Sequence, residues 1–335
     1  MDKNNEFFMP PRPEEPLESD CCGSGCSPCI FDIYRKQLLE WEKQCEMLIH
    51  NKGVLVDVES NQHNIPVLSQ LKFSPFQLIS IEEHTHNTYF YTFQAVKMPE
   101  LNSTASGVTD YVPDKRFLNI KIGEHLIMNG RSTETNKSVI SRAYTPISDV
   151  NLHSIGCFKV LVKLYEDGRM SKYIKGLKKY DITEWRGPYG DYKYLRASHR
   201  FLIMLSAGTG IAPMYPIAKS IVDDDLDETF IHLLFACRHF EDILLRNEIQ
   251  ALTLYWNFKA EIFLSQATSQ VVETQSRYSE TVHSGRIDKD VISRILSGKK
   301  LDQIFVLICG TKPFNKDMIN FLKHFGISES NIQLF

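Results

Sequence analysis

The chain has 335 residues, with 38 basic against 41 acidic side chains, a formal net charge of −3 and 43% apolar content. That length suits about two globular domains plus a tail, and the near-neutral balance argues against a dedicated nucleic-acid binder, which carries a strongly basic domain. The longest apolar run, Phe201–Leu205 continuing toward Pro213, is broken by Ser and Gly well before the roughly 18–20 residues of a spanning helix, so no transmembrane anchor is expected.

The first residues lack a signal-peptide core, have no glycine after Met1, and hold four Glu before Ser19 against Lys3 and Arg12. A cytoplasmic protein is the expectation. Residues 1–20, with Pro10, Pro11, Pro13 and Pro16, read as a flexible lead. Residues 21–50 form a cysteine-rich segment. In it Phe31, Tyr34, Leu38, Trp41, Cys45 and Leu48 recur at three- and four-residue steps, which predicts an amphipathic helix suited to docking a partner. The spacing Cys22-X3-Cys26-X2-Cys29, with Cys21 adjacent, has enough thiols for zinc or an iron–sulfur cluster but matches no ferredoxin run. Flexible reduced thiols account for it equally, and no metal is assigned. Cys157, Cys237 and Cys309 lie in apolar surroundings and read as buried small hydrophobes.

Residues 51–72 suit a linker. From 73 to 197, short β-rich runs at Phe76–Ile81, Tyr89–Val96, Phe117–Ile122, His125–Met128, Phe158–Tyr165 and Asp181–Arg186 predict a small antiparallel barrel, with a surface loop at Pro99–Pro113. From 198 to 335 the pattern changes to strand followed by helix. Runs at Phe201–Leu205, Phe230–Ala236, Glu261–Leu264, Ile304–Cys309 and Asn331–Phe335 predict a doubly wound parallel sheet.

Three segments carry chemistry. Ser206-Ala207-Gly208-Thr209-Gly210-Ile211-Ala212-Pro213-Met214 joins an apolar strand to a helix that can start at Pro213. Gly208 and Gly210 let backbone approach a phosphate or ring, and the helix N-terminus favours negative charge; a tight turn alone explains the glycines equally well. In Arg142-Ala143-Tyr144-Thr145-Pro146-Ile147-Ser148, alternation along an extended segment puts Arg142, Tyr144 and Ser148 on one side, able to meet a phosphate and a flat ring. In Asp167-Gly168-Arg169-Met170-Ser171-Lys172, a helix start offers a pyrophosphate seat, or Ser171 merely caps its own helix.

With Gly123-Glu124-His125, Lys163-Leu164-Tyr165, Arg186-Gly187-Pro188-Tyr189-Gly190, Asp242–Arg246, Gly285-Arg286-Ile287 and Cys309-Gly310, these segments make residues 73–335 resemble the NADH–cytochrome b5 reductase branch of the ferredoxin–NADP reductase-like flavoproteins. The cysteine block resembles a short oxidoreductase-like N-terminal domain. The resemblance implies an FAD-binding barrel, an NAD-binding sheet and hydride transfer from NADH to FAD, followed by single electrons to cytochrome b5 or another one-electron acceptor. It implies that Arg142 holds the FAD pyrophosphate, that Ala143, Tyr144 and Ser148 belong to the flavin site, and that Thr145 lies at the reactive flavin edge. Lys163 would touch the flavin or its ribityl chain. Gly168, Arg169, Met170 and Ser171 would grip phosphate. Gly208, Thr209, Gly210 and Pro213 would admit the nicotinamide nucleotide, Cys309 and Gly310 would sit at the nicotinamide face, and Phe335 would close the sheet near the flavin. Thr145 and Cys309 are the candidate catalytic positions.

The chain departs from that pattern in one consequential place. NADH-preferring relatives present an acid to the adenosine ribose at the end of the third strand, where this chain reads Leu264-Ser265-Gln266. An acid would repel a 2′-phosphate; Ser265 does not, so NADPH stays open beside NADH, with Arg277 and Tyr278 as candidate helpers. Arg169, Lys172, Lys193, Arg196 and Arg200 are candidate docking charges for an acidic acceptor. Rival readings are a non-catalytic electron-transfer or metal-binding adaptor on a flavin-reductase scaffold, and an NAD(P)H diaphorase with a different acceptor.

Overall fold

The computed structural model describes residues 12–13, 15–16, 31–32, 34–35, 38–39, 41–42, 45, 66–97, 111–131, 139–148 and 150–335. Cys21, Cys22, Cys26 and Cys29 lie outside them. Helix α1, described at residues between 31 and 45, carries the expected stripe as far as Cys45: Phe31, Tyr34, Leu38 and Trp41 are half-buried and Cys45 is buried, while Asp32, Arg35, Leu39 and Glu42 are exposed; Leu48 lies outside the described residues.

The strands β1 (Ser74–Thr85) and β2 (Thr88–Lys97) make an antiparallel hairpin about His86-Asn87. Pairing then runs from β1 to β7 (Ile182–Tyr189), to β4 (His125–Arg131) and to β5 (Val139–Tyr144), while β2 also pairs β6 (Cys157–Lys163) and the two-residue β3 (Val112–Pro113). An isolated Pro146–Val160 bridge and the Ile147 N–H to Lys159 O bond, 2.8 Å, join the chain after β5 back to β6, closing the barrel. Closure leaves few open edges. A short helix, α2 (Val150–Ser154), precedes β6, and α3 (Arg169–Gly176) plugs one end, burying Met170 and Ile174.

Alternate residues point inward, as period two demands. Phe76, Phe93, Phe158 and Trp185 form the barrel's aromatic centre, with Trp185 at 4.9 Å from both Phe93 and Phe158. Its indole N–H donates to Thr183 Oγ1 at 2.9 Å, and the Thr183 hydroxyl donates to Phe76 O at 3.0 Å. Replacing Thr183 by valine keeps the shape but orphans a buried indole N–H. We expect a loss of about 1–3 kcal/mol in urea unfolding; a midpoint unchanged at constant slope contradicts this.

Phe117–Ile122, expected as a strand, is irregular. Leu118 and Ile120 do enter the barrel core, but the Leu118 N–H donates to His153 O at 3.0 Å instead of to a neighbouring strand. The expected linker also ends early: Leu68 is buried in the same core and the Gly187 N–H donates to Ser69 O. At the other boundary, Tyr192 and Tyr194 pack with the C-terminal half.

That half is a wholly parallel six-stranded sheet in the order β11-β10-β9-β8-β12-β13. Its strands are β8 (Phe201–Ala207), β9 (Phe230–Cys237), β10 (Phe258–Leu264), β11 (Val282–Ser284), β12 (Ile304–Cys309) and β13 (Ile332–Leu334). One face packs α4 (Ile211–Val222) and α5 (Arg246–Leu252), the other α7 (Lys289–Leu296) and α8 (Lys312–His324). Both faces being covered, Leu202 and Met204 serve one core while Ile203 and Leu205 serve the other, which is why Phe201–Leu205 is continuously apolar. The short α6 (Ser269–Gln275) links β10 to β11. No helix of the described residues is long and apolar enough to cross a membrane.

Candidate active site

Strand order reverses between β8 and β12, and a crevice at the carboxyl ends of strands is expected there. A cleft of about 1950 Å³ opens at that point, between barrel and sheet. It exceeds the roughly 300–1,000 Å³ of a pocket for one small ligand. Its barrel wall carries Arg142, Ala143, Tyr144 and Thr145 from the end of β5, Lys163 from β6, and Gly168, Arg169, Met170 and Ser171 from the start of α3. Its sheet wall carries Gly208, Thr209, Gly210 and Pro213 after β8, Cys309 and Gly310 after β12, and the terminal Phe335.

Ser148 is the exception. Beyond Pro146 the chain leaves β5 for β6, so the alternation expected to carry Ser148 into the cleft ends there. Its hydroxyl accepts from the Lys159 N–H at 3.1 Å and meets His153 Nε2 at 3.1 Å. Ser171 does not cap its helix either: Gly168 holds that position with no side-chain bond, and the buried Ser171 Oγ accepts from the Tyr165 N–H at 3.0 Å. Lys172 N–H makes the first bond of α3, to Gly168 O at 2.9 Å, so the N–H groups before it have no acceptor within the helix. Arg142 Nη1 donates to Ser141 O at 2.8 Å, which orients its guanidinium.

On the sheet wall the packing is backbone against backbone. A Cβ on Gly210 would lie 2.1 Å from Cys309 O, whereas one on Gly208, at φ +54°, would meet nothing within 4 Å. Burial pushes the Cys309 thiol up to about 12 and raises the Tyr144 phenol above its usual range, so both stay protonated near neutral pH.

Two contacts that sequence reading missed tie barrel to sheet beside the cleft. Lys163 Nζ donates to Asp242 Oδ1 at 3.0 Å, and the Leu245 N–H donates to His84 Nε2 at 2.8 Å. The second requires a neutral imidazole at that nitrogen, and burial holds the His84 pKa below 6.5, against a smaller opposing pull from Glu248. A lowered pKa means the unfolded chain binds more protons. The contribution is therefore complete above about pH 6.5 and is lost as pH falls through the folded-state value. His199 and His232 are lowered in the same sense, so the test is a difference. His84→Gln should flatten the slope of stability between about pH 5 and 7 relative to the parent; equal slopes contradict the assignment.

Other expectations are relocated. Arg277 donates to Asn247 Oδ1 and Gln250 Oε1 at 2.7 and 3.1 Å, Tyr278 is 96% exposed, and neither lines the cleft. Arg196 pairs with Asp224 at 2.6 Å, and Arg200 precedes β8 at the opposite end of its strand. At about 3.3 Å per residue that end is about 20 Å from the cleft. Among the described residues no group of three or more His, Cys, Asp or Glu is placed to hold a metal ion.

Comparison with known proteins agrees with this geometry. Residues 111–194 match the family model described as "Oxidoreductase FAD-binding domain", residues 204–320 "Oxidoreductase NAD-binding domain", and residues 6–49 "Oxidoreductase-like protein, N-terminal". Over 334 residues, 100% of this chain and 98% of the relative, it is 36% identical to a Homo sapiens protein named "NADH-cytochrome b5 reductase-like". A Mus musculus protein of the same name is 34% identical over 100% of this chain and 98% of its own. The chain belongs to the NADH–cytochrome b5 reductase family. The cytochrome b5 reductase domain of Ulva prolifera nitrate reductase superposes with a TM-score of 0.66 at 25% identity, covering 81% of this chain and 100% of that one. The protein is an oxidoreductase with FAD- and NAD-binding domains.

The residues present fit both cofactors. A flavin dinucleotide needs a cationic seat for its pyrophosphate and a flat face for its ring. Arg142, Arg169 and the start of α3 offer the first, and Tyr144 the second. A pyridine nucleotide needs a wall bare of side chains, which Gly208 provides, while Gly210 lets the turn close against Cys309 behind it.

Proposed function

We propose that this chain is a reductase that takes a hydride from NADH onto bound FAD and releases single electrons to a haem-protein acceptor such as cytochrome b5. When bound, FAD supplies the hydride-accepting ring and the conversion from two-electron to one-electron transfer. The observation that carries this reading is the convergence of Arg142–Thr145, Gly168–Ser171, Gly208–Pro213 and Cys309–Gly310 on one cleft at the reversal of strand order.

In this reading the protein contributes geometry. Arg142 and Arg169 hold pyrophosphate, and Ser171, its own hydroxyl fixed by the Tyr165 N–H, fixes the loop before α3. Tyr144 presents a neutral ring face, and Thr145 sets a hydroxyl at the edge where the nicotinamide arrives. Cys309, kept as a thiol, gives a small wall at that edge rather than a competing thiolate nucleophile. Reactive rings need contact at about 3–3.5 Å, which the bare backbone at Gly208 permits. Lys163 is already neutralised by Asp242, so its part is to hold the two walls at a fixed separation. The exposed Lys172 and Lys193 are the basic groups this reading offers to an acidic acceptor rim.

The test is optical. Purified protein should be yellow, bleach anaerobically with NADH, and recover its colour on addition of oxidised cytochrome b5. Colourless protein that takes up no added FAD sinks the reading in favour of a non-catalytic adaptor, and bleaching without cytochrome reduction assigns the electrons to a different acceptor.

A further inference from the structure

At the far end of the sheet wall, three loop tips meet at the carboxyl edge of neighbouring strands. The Ser265 N–H donates to Cys237 O at 3.0 Å, and the Gln266 N–H donates to Arg238 O at 3.0 Å, so the residues after β9 and β10 are held side by side. The Gly285 N–H donates to Leu264 O at 2.9 Å, which places Arg286 beside the same tip. Arg238, Ser265 and Arg286 all line the cleft and are exposed. Neither guanidinium has an ion-pair partner among the described residues. Of the two acids on the turn after β9, Asp242 is neutralised by Lys163, leaving Glu241 as one acid near two guanidinia.

In an open parallel sheet of this kind, the adenosine ribose of a dinucleotide lies at the tip of the strand next to the Gly-rich turn, here β9, whose tip is held against that of β10. An acid there selects the ribose 2′-hydroxyl, and an arginine there accommodates a 2′-phosphate. Here no acid stands at the β10 tip. We propose that Arg238, Ser265 and Arg286 form a seat for the 2′-phosphate of NADPH, so that the cleft accepts NADPH as well as NADH and holds the phosphorylated adenosine end more tightly. The guanidinia supply planar, paired donors matched to phosphate, and the Ser265 hydroxyl supplies a third. The inference rests on the sheet wall being the nucleotide wall, as in the preceding reading, and adds the identity of the nucleotide.

Isothermal titration of the FAD-loaded protein with adenosine 2′,5′-bisphosphate and with 5′-AMP isolates the 2′-phosphate, because the two ligands differ in nothing else. The bisphosphate should bind on the order of tenfold tighter, with the gap narrowing as salt is raised, since the seat is exposed. Arg238→Gln should bring the two ligands within about threefold, and Ser265→Asp should reverse their order, FAD content serving as the check that each variant is folded. Equal binding of both ligands by the parent protein, or tighter 5′-AMP, overturns the seat while leaving the reductase reading intact. Binding of neither ligand by protein that retains FAD overturns the nucleotide wall itself, and the seat with it.

Discussion

Replacing Gly210 by alanine is expected to slow flavin reduction by NADH on the order of 100-fold while bound FAD is retained. Gly210 has ordinary right-handed angles, φ −61° and ψ −9°, so alanine costs nothing in backbone preference. The penalty is contact. The new methyl would stand 2.1 Å from Cys309 O and 2.6 Å from its carbonyl carbon. Cys309 is also directly opposite Ser206 in the β8–β12 ladder, so neither turn can withdraw without spreading two paired strands at the sheet's centre. Forced overpacking of this kind costs about 1–3 kcal/mol, and a shift of about 1 Å at a reacting surface costs about 100-fold in rate. Because the clash lies on the sheet wall, the barrel and its flavin seat should be unaffected. Stopped-flow bleaching at saturating NADH, with the flavin-to-protein ratio and thermal midpoint alongside, decides the matter. A rate within threefold of the parent and an unchanged midpoint would show that the two turns do not abut.

The complementary variant acts on the opposite wall. Arg142→Ala should yield protein that loses most of its flavin on purification and rebinds FAD on the order of 10- to 100-fold more weakly, the equivalent of one charge-assisted hydrogen bond at about 1.5–3 kcal/mol. Arg142 sits inside the β4–β5 ladder opposite Met128 and is oriented by its bond to Ser141 O, so the fork is presented with little conformational freedom left to lose. Arg142→Lys should recover only part of the loss, because an ammonium keeps the charge without the paired geometry. Titration of the apoprotein followed by flavin fluorescence measures all three forms; identical dissociation constants for the parent and the alanine variant would remove Arg142 from the flavin seat.

What could be read from the chain alone was what depends on neighbours in sequence. The apolar stripe of α1, the alternation through Phe76 and Leu78, and the unbroken run at β8 each have a single local solution. The Gly-rich turn was legible because it must follow a strand and precede a helix, and the strand order then put it at the crevice. Readings failed where a partner far along the chain decided the outcome. Phe117–Ile122 has a strand's alternation but its first core residue bonds to His153, and Ser148 follows Pro146 across to β6. The Lys163–Asp242 pair spans 79 positions, and nothing local marks either residue as a member of it. Strands β3 and β11, of two and three residues, are too short for periodicity to register. Arg277 was a reasonable phosphate candidate by charge, yet Asn247 and Gln250 on α5 take its guanidinium.

The two walls of the cleft are built from different materials, and this governs how the protein can change. Across from the barrel, the Gly210 α-carbon is pressed against the Cys309 carbonyl, where mutation of Gly210 has almost no room to act. If the tips near Ser265 hold the adenosine end as proposed, point changes there, at exposed side chains outside the cores, would alter the choice of electron donor and leave the packing of Gly210 on Cys309 untouched.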